Sequence, residues 1–283
     1  MSFIACDNIV KIYKVADLEV VALQGVDLRI EQGEMMAIIG TSGSGKSTLM
    51  NIMGGLDKPS AGRIEVGEHD LTRMTRQEQV AYRRQEVGFV WQQTARNLIP
   101  YLTAKQNVEL PMALNNISRK EREDRAVALL EQVELGDRLN HLPRNLSGGQ
   151  QQRVAIAVAM ANHPALLLAD EPTGQVDSEA SDTIFKAMTR LNHDYGVTIV
   201  IVTHDVQVAE RVERVVGMRD GLVISEVQRR RDSSDEHEFA ILDRSGRLQL
   251  PQSFIEELAL QERVQLELRD DHIGVYRAKG DAC

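Results

Sequence analysis

The sequence predicts an α/β fold: a mostly parallel core sheet, an antiparallel subdomain at its edge and a small β-rich module at the C-terminal end. Three observations predict it. Short, wholly apolar runs recur between amphipathic stretches, as in strands covered on both faces by helices. One such run ends in a glycine-rich loop followed by helix-forming residues. The composition then turns sharply polar near residue 228 before apolar alternation resumes. At 283 residues the chain has room for one medium domain and a small one.

In chain order, residues 3–13 and 20–30 look like antiparallel strands at a sheet edge. Met35-Met36-Ala37-Ile38-Ile39 reads as a buried strand, and residues 48–53 can begin a helix. Helical periodicity is clear over 119–133, where Ala126, Leu129, Leu130 and Val133 recur against a charged face, and it returns over 150–162. Ala165-Leu166-Leu167-Leu168-Ala169 and Thr198-Ile199-Val200-Ile201-Val202 are two further buried strands. No repeat with a period of 20–50 residues is visible. The domain reading is a main domain over 1–226, a charge-dense linker over 227–238 and a small unit over 239–283.

Composition removes several classes of function. Apolar residues make up 42% and charged residues 27%, an ordinary balance for a chain with a proper core. A net charge of −9 argues against coating phosphate backbones. Two cysteines, Cys6 and Cys283, make no disulfide framework and fit a reducing compartment. No apolar run approaches the roughly 18–20 residues that cross a bilayer. The opening residues carry no apolar segment of signal-peptide length. A secreted or integral membrane protein is therefore not expected, while attachment to a membrane through a partner stays open.

Gly40-Thr41-Ser42-Gly43-Ser44-Gly45-Lys46-Ser47 satisfies G-x-x-x-x-G-K-[ST] at every fixed position, between a strand and a helix. Such a loop lets backbone N–H groups converge on phosphate oxygens, and the helix start adds partial positive charge. Lys46 is expected to reach the β and γ phosphates, and the Ser47 hydroxyl to bind Mg²⁺. Leu166 to Glu171 is an apolar strand ending in two carboxylates, 124 residues after Lys46. Strand alternation sends the two acids to opposite sides, so they are expected to do different jobs. Asp170 fits the Mg²⁺-holding role, and Glu171 fits the base that orients attacking water.

Leu146-Ser147-Gly148-Gly149-Gln150 lies between these two motifs and precedes a helical stretch. Alone it is a turn and an N-cap. In this order the chain resembles the ATP-binding subunits of ABC transporters over about residues 2–226, with L-S-G-G-Q as the family's signature. The resemblance implies a P-loop NTPase fold with a helical signature subdomain. It implies ATP and Mg²⁺ as ligands, and two copies paired head to tail. ATP would lie between one copy's phosphate loop, flanked by Thr48, and the other copy's Ser147, Gly148, Gly149 and Gln150. A separate transmembrane permease at the cytoplasmic face of the membrane is the implied second partner.

Further residues follow by position. Tyr13 resembles the aromatic that stacks on adenine, though an early Tyr also reads as a core or surface aromatic. Gln92 resembles the glutamine that touches Mg²⁺ and senses the permease, with Gln93 adjacent. Asp177 resembles the aspartate that communicates across the dimer. His204, 33 residues after Glu171, resembles the switch histidine on the γ-phosphate. Phrases such as V-A-L-Q-G-V-D-L and N-V-E-L-P resemble lipoprotein-release, macrolide-exporter and cell-division ATPases. Two departures stand out. The run Gln92 to Pro100 looks two residues longer than in such relatives and lacks their aromatic. Gln175-Val176-Asp177 replaces their usual Asn-Leu-Asp or Ala-Leu-Asp.

Residues 239–251, read as strand, D-x-x-G-R turn, strand and Pro, resemble the swapped-hairpin modules of AbrB-type regulators. A helix over 253–260 follows, with Phe254, Ile255 and Leu258 on one face. A second hairpin over 264–276 turns at Asp270-Asp271. Residues 239–278 carry five arginines against seven acids, too little positive charge for DNA. A dimerisation device is expected, or else a plain accessory hairpin; no nucleic-acid partner is. Two other functions share parts of this reading. One is a non-transport ABC ATPase that regulates a membrane protein in cell-wall or division control. The other is a DNA-associated ABC ATPase or regulator.

Overall fold

The computed structural model describes residues 2–15, 18–93, 97–174, 176–229, 236–244, 246–260 and 264–277. Contacts divide the chain into two units, residues 1–238 and 239–283. In the first unit, β1 (Ser2–Val15) and β2 (Leu18–Glu31) form a long antiparallel pair. With β4 (Ala61–Val66) and β5 (His69–Asp70) they make a four-stranded antiparallel sheet in the order β2-β1-β4-β5.

The central sheet is built on β3 (Met35–Ile39), β6 (Val87–Val90), β7 (Leu166–Asp170) and β8 (Thr198–Thr203), with β9 (Arg214–Arg219) and β10 (Leu222–Arg229). Its order is β11-β10-β9-β3-β8-β7-β6, where β11 is Glu236–Ala240. The β9–β3–β8–β7–β6 block is parallel throughout, and β10 returns antiparallel to β9. The expected mostly parallel core with an antiparallel edge sheet is therefore present.

The wholly apolar strands have a direct cause: both faces of this sheet are buried. Met36, Ile38, Leu166, Leu168, Val200 and Val202 enter one core, with α1 (Lys46–Met53) and the antiparallel sheet. Ala37, Leu167, Ala169, Ile199 and Ile201 enter the other. That second core is completed by α3 (Ala104–Leu114), α4 (Arg119–Gln132), α5 (Gly148–Met160) and α6 (Ser178–Tyr195). The periodic residues of 119–133 behave as expected: Ala126, Leu129, Leu130 and Val133 are fully buried. Helix α2 (Arg76–Gln85) is fixed to the first core by Tyr82, whose buried hydroxyl donates to the Met53 carbonyl at 2.7 Å. A short α7 (Val206–Ala209) follows β8.

The stretch expected as a linker carries strand at both ends, since β10 runs to Arg229 and β11 begins at Glu236. Residues 230–235 of that linker, Cys283, Gln175 and the Thr94-Ala95-Arg96 part of the lengthened run lie outside the described residues.

In the second unit, α8 (Gln252–Glu257) is shorter than expected, and β12 (Val264–Leu268) pairs antiparallel with β13 (Ile273–Arg277). The first expected hairpin is reduced to one bridge, Leu242 to Leu248. Its turn is nonetheless built as the D-x-x-G-R spacing implies. The Asp243 carboxylate accepts from the Arg247 backbone N–H at 2.9 Å and from Arg247 Nε at 2.6 Å. Among its described residues none is buried. Leu242, Leu266, Leu268 and Ile273 are each more than 60% exposed.

Candidate functional site

Strand register brings three motifs to one sheet edge. Ile39, the last residue of β3, pairs with Thr203, the last of β8, and Asp170, the last of β7, pairs with Val202. The phosphate loop, the two acids and His204 thus leave the carboxyl ends of three adjacent parallel strands. Such an edge is where open α/β sheets bind ligands.

The loop Gly40–Gly45 turns into α1 at Gly45, whose φ of 99° is left-handed. A Cβ there would lie 2.6 Å from the Ala22 carbonyl oxygen, so only glycine lets the loop pass that close to β2. No side chain caps the first turn of α1, which leaves its N-terminal N–H groups for an anion. Thr41, Ser42, Gly43 and Ser47 are exposed, while Ser44 and Lys46 are buried. Lys46 Nζ donates to the carbonyls of Gly40 at 2.8 Å and Thr41 at 2.9 Å. Burial lowers its pKa, and the nearby charges of Glu171 and Asp170 act in the opposite direction. The three charged side chains therefore already share one electrostatic site.

Asp170 closes β7, but Glu171 does not continue the strand. Its φ is +47°, left-handed, although its N–H still donates to the Val202 carbonyl of β8 at 2.8 Å. Alternation along the strand is therefore not what separates the two acids; a backbone turn after Asp170 is. That turn carries the Glu171 side chain to the end of β8. There Thr203 Oγ1 donates to Glu171 Oε2 at 2.9 Å, and the His204 backbone N–H donates to Oε1 at 2.9 Å. His204 Nδ1 lies 2.5 Å from the same Oε1. Gln92 follows β6. Its amide nitrogen is 3.6 Å from the position of a Cβ on Gly174, which itself lies 3.6 Å from the Glu171 Cβ. The glutamine thus reaches the backbone turn that follows Glu171.

Tyr13 lies on β1 and is half-buried. Its hydroxyl donates to Asp57 Oδ2 at 2.8 Å, and burial together with that carboxylate raises its pKa. Lys11 Nζ binds the other Asp57 oxygen at 2.6 Å and sits 4.7 Å from the Tyr13 ring centre. Lys11 and Asp57 were not singled out by sequence. A lone Lys and a lone Asp 46 residues apart carry no pattern until β1 meets the loop after α1.

Ser147 caps α5 through a reciprocal capping box: Gln150 N–H donates to Ser147 Oγ at 3.3 Å, and Ser147 N–H to Gln150 Oε1 at 2.9 Å. Ser147 and Gly148 are exposed, whereas Gly149 is buried. A Cβ on Gly149 would come within 2.7 Å of the Ala180 Cβ. Asp177 caps α6 by accepting from the Ala180 N–H at 2.8 Å. The start of α5 is therefore packed on the start of α6, which Asp177 caps. The side chains of Ser147 and Gln150 bond each other's backbone N–H groups. The single chain does not join them to the phosphate loop.

Ser47, Asp170 and Gln92 offer hydroxyl, carboxylate and amide oxygens, the hard donors that Mg²⁺ takes alongside phosphate and water. The side-chain chemistry at this edge fits that ion.

Residues 23–174 match the protein family described as ABC transporter. The chain is 47% identical over 221 residues to the uncharacterized ABC transporter ATP-binding protein YknY of Bacillus subtilis, covering 78% of this chain and 95% of that one. It is 46% identical over 232 residues to the macrolide export ATP-binding/permease protein MacB of Rhodopirellula baltica, covering 81% of this chain. It spans only 34% of the length of that MacB. The dimeric structure of MJ0796, a bacterial ABC transporter cassette, aligns with a TM-score of 0.73 at 44% identity, over 80% of this chain and 99% of the other. A second MJ0796 structure, a dimeric post-hydrolysis state bound to ADP and Pi, aligns with the same score, identity and coverage.

Proposed function

The chain belongs to the ABC transporter family, and from that premise we propose that it binds and hydrolyses ATP as one of two head-to-tail copies. In this reading it drives a separate permease, which exports or extracts an extracytoplasmic lipid-like, peptide or drug cargo. The observation that carries the reading is the alignment of phosphate loop, acids and His204 at the ends of β3, β7 and β8. The MacB and MJ0796 relatives support both ATP use and pairing. No helix among the described residues is long and apolar enough to cross a membrane. Attachment to the cytoplasmic face through the permease fits that observation.

The chemistry follows from the residues. The unpaired N–H groups of α1 and the Lys46 ammonium receive the phosphate oxygens and offset their charge. Lys46 would exchange its present carbonyl partners for them. Ser47, Asp170 and Gln92 would hold Mg²⁺, which when bound draws charge from the β and γ phosphates. Glu171 accepts a proton from water as the water oxygen bonds to the γ-phosphorus. The bond from phosphorus to the β–γ bridging oxygen breaks, and ADP leaves with that electron pair. His204 moves from Glu171 to the transferred phosphoryl group. Tyr13, held by Asp57 of the loop after α1, is the residue offered to the adenine. The exposed Ser147 and Gly148, at a helix N-terminus with no partner in its own phosphate loop, supply the second copy's cradle; Gly149 and Asp177 set its position. Purified chain should hydrolyse Mg-ATP, and Glu171→Gln should bind Mg-ATP yet lose turnover. Wild-type turnover in that variant would overturn the assignment.

Residues 239–283 are read as a pairing device between two copies, supported by the large apolar side chains that stay exposed among the unit's described residues. A unit of this size seldom stands on its own core, and an isolated two-stranded hairpin is marginal in water.

A further inference from the structure

We infer that Thr203 is the positioning residue that aims the Glu171 carboxylate, through a single committed hydroxyl proton. Thr203 is 1% exposed, so its hydroxyl has no access to bulk water. A hydroxyl has one proton to give. The Asp205 backbone N–H donates to Thr203 Oγ1 at 3.0 Å, which occupies an acceptor position on that oxygen. The proton is then directed at Glu171 Oε2, 2.9 Å away. The order of donation is fixed: Asp205 N–H to Thr203, Thr203 O–H to Glu171.

The two carboxylate oxygens are held differently. Oε1 takes the His204 N–H and shares the His204 ring, whose side chain is 67% exposed and able to leave. Oε2 is held by the buried Thr203 alone among the described contacts. Rotation of His204 toward phosphate frees ring contact at Oε1 while Thr203 and the His204 N–H keep the carboxylate in place. The backbone of Glu171 is fixed by its N–H to the Val202 carbonyl at 2.8 Å, and the anchor matters because it fixes the carboxylate at the far end of the side chain. A base displaced by about 1 Å can lose on the order of a hundred-fold in rate.

This inference rests on the ATPase reading, and the experiment separates the two. Steady-state ATP hydrolysis and Mg-ATP binding are measured on the full chain, on Thr203→Val and on Thr203→Ser, with thermal melts on all three. Valine keeps the branched shape and removes the hydroxyl; serine restores it. The expected result is a fall in kcat of about ten- to a hundred-fold in Thr203→Val. KM and Mg-ATP affinity should stay near wild type, and Thr203→Ser should recover most of the rate. Wild-type kcat in Thr203→Val would overturn the anchor. So would a Thr203→Ser variant as slow as the valine, which would assign the effect to the methyl group. A wild-type chain without hydrolysis would instead overturn the ATPase reading, and the anchor with it.

Discussion

Glu171 and His204 stand 33 residues apart in sequence and within 2.5 Å in space. That both lie at a strand end was legible because each follows an apolar run, and parallel strands in one sheet end at one edge. What sequence did not supply was the route between them. Alternation along β7 predicted opposite faces for Asp170 and Glu171, but the chain turns at Glu171 instead. A left-handed glutamate is stabilised only by partners on another strand, and no local pattern announces it. Gly149 gives a similar lesson. It reads as a phosphate-cradle glycine, and the structure adds that a Cβ there meets Ala180. At this scale Glu171→Gln tests the chemistry. Loss of a general base costs about 10²–10⁴-fold, so turnover should fall by that order while Mg-ATP binding persists. Isothermal titration and phosphate release measure the two separately.

Elements were the more legible level. Strands buried on both faces and helices with one apolar stripe declare themselves, and α4 and α5 lie within two residues of their expected bounds. Less legible were the ties between elements. Arg214, at the start of β9, holds Glu226 of β10 through Nε at 2.9 Å and Nη2 at 3.0 Å, and Glu34, before β3, at 3.1 Å. Burial alone would raise the Glu226 pKa, but the hydrogen bonds from Arg214 and Gln228 outweigh it and the net shift is downward from 4.5. The sign follows: a depressed folded pKa contributes stability above the unfolded value and loses it as pH falls through the folded value. Thermal melts should therefore show wild type losing stability below about pH 4.5 more steeply than Glu226→Gln. Equal slopes would remove Glu226 from acid unfolding.

At the scale of the whole molecule, two questions concern two copies. The first is the C-terminal unit, whose second hairpin was legible, while the absence of a buried residue among its described residues was not. Periodicity assigns a face to the helix and the hairpin, but it does not say what covers that face. If the unit pairs copies, full chain without ATP should sediment with a larger dimer fraction than residues 1–238 at equal concentration. Equal fractions would leave the unit as an accessory hairpin.

The second question is the central one: whether the catalytic site is shared between copies. The phosphate loop and the acids lie at one sheet edge, and the bonds of Ser147 stay at its own helix start. A Lys46→Ala chain and a Ser147→Arg chain should each fail to hydrolyse ATP. Mixed, they form some pairs in which an intact phosphate loop faces an intact signature. Phosphate release by the equimolar mixture is the direct measurement. Hydrolysis well above the sum of the two separate samples is predicted; a mixture no more active than that sum would contradict the shared site.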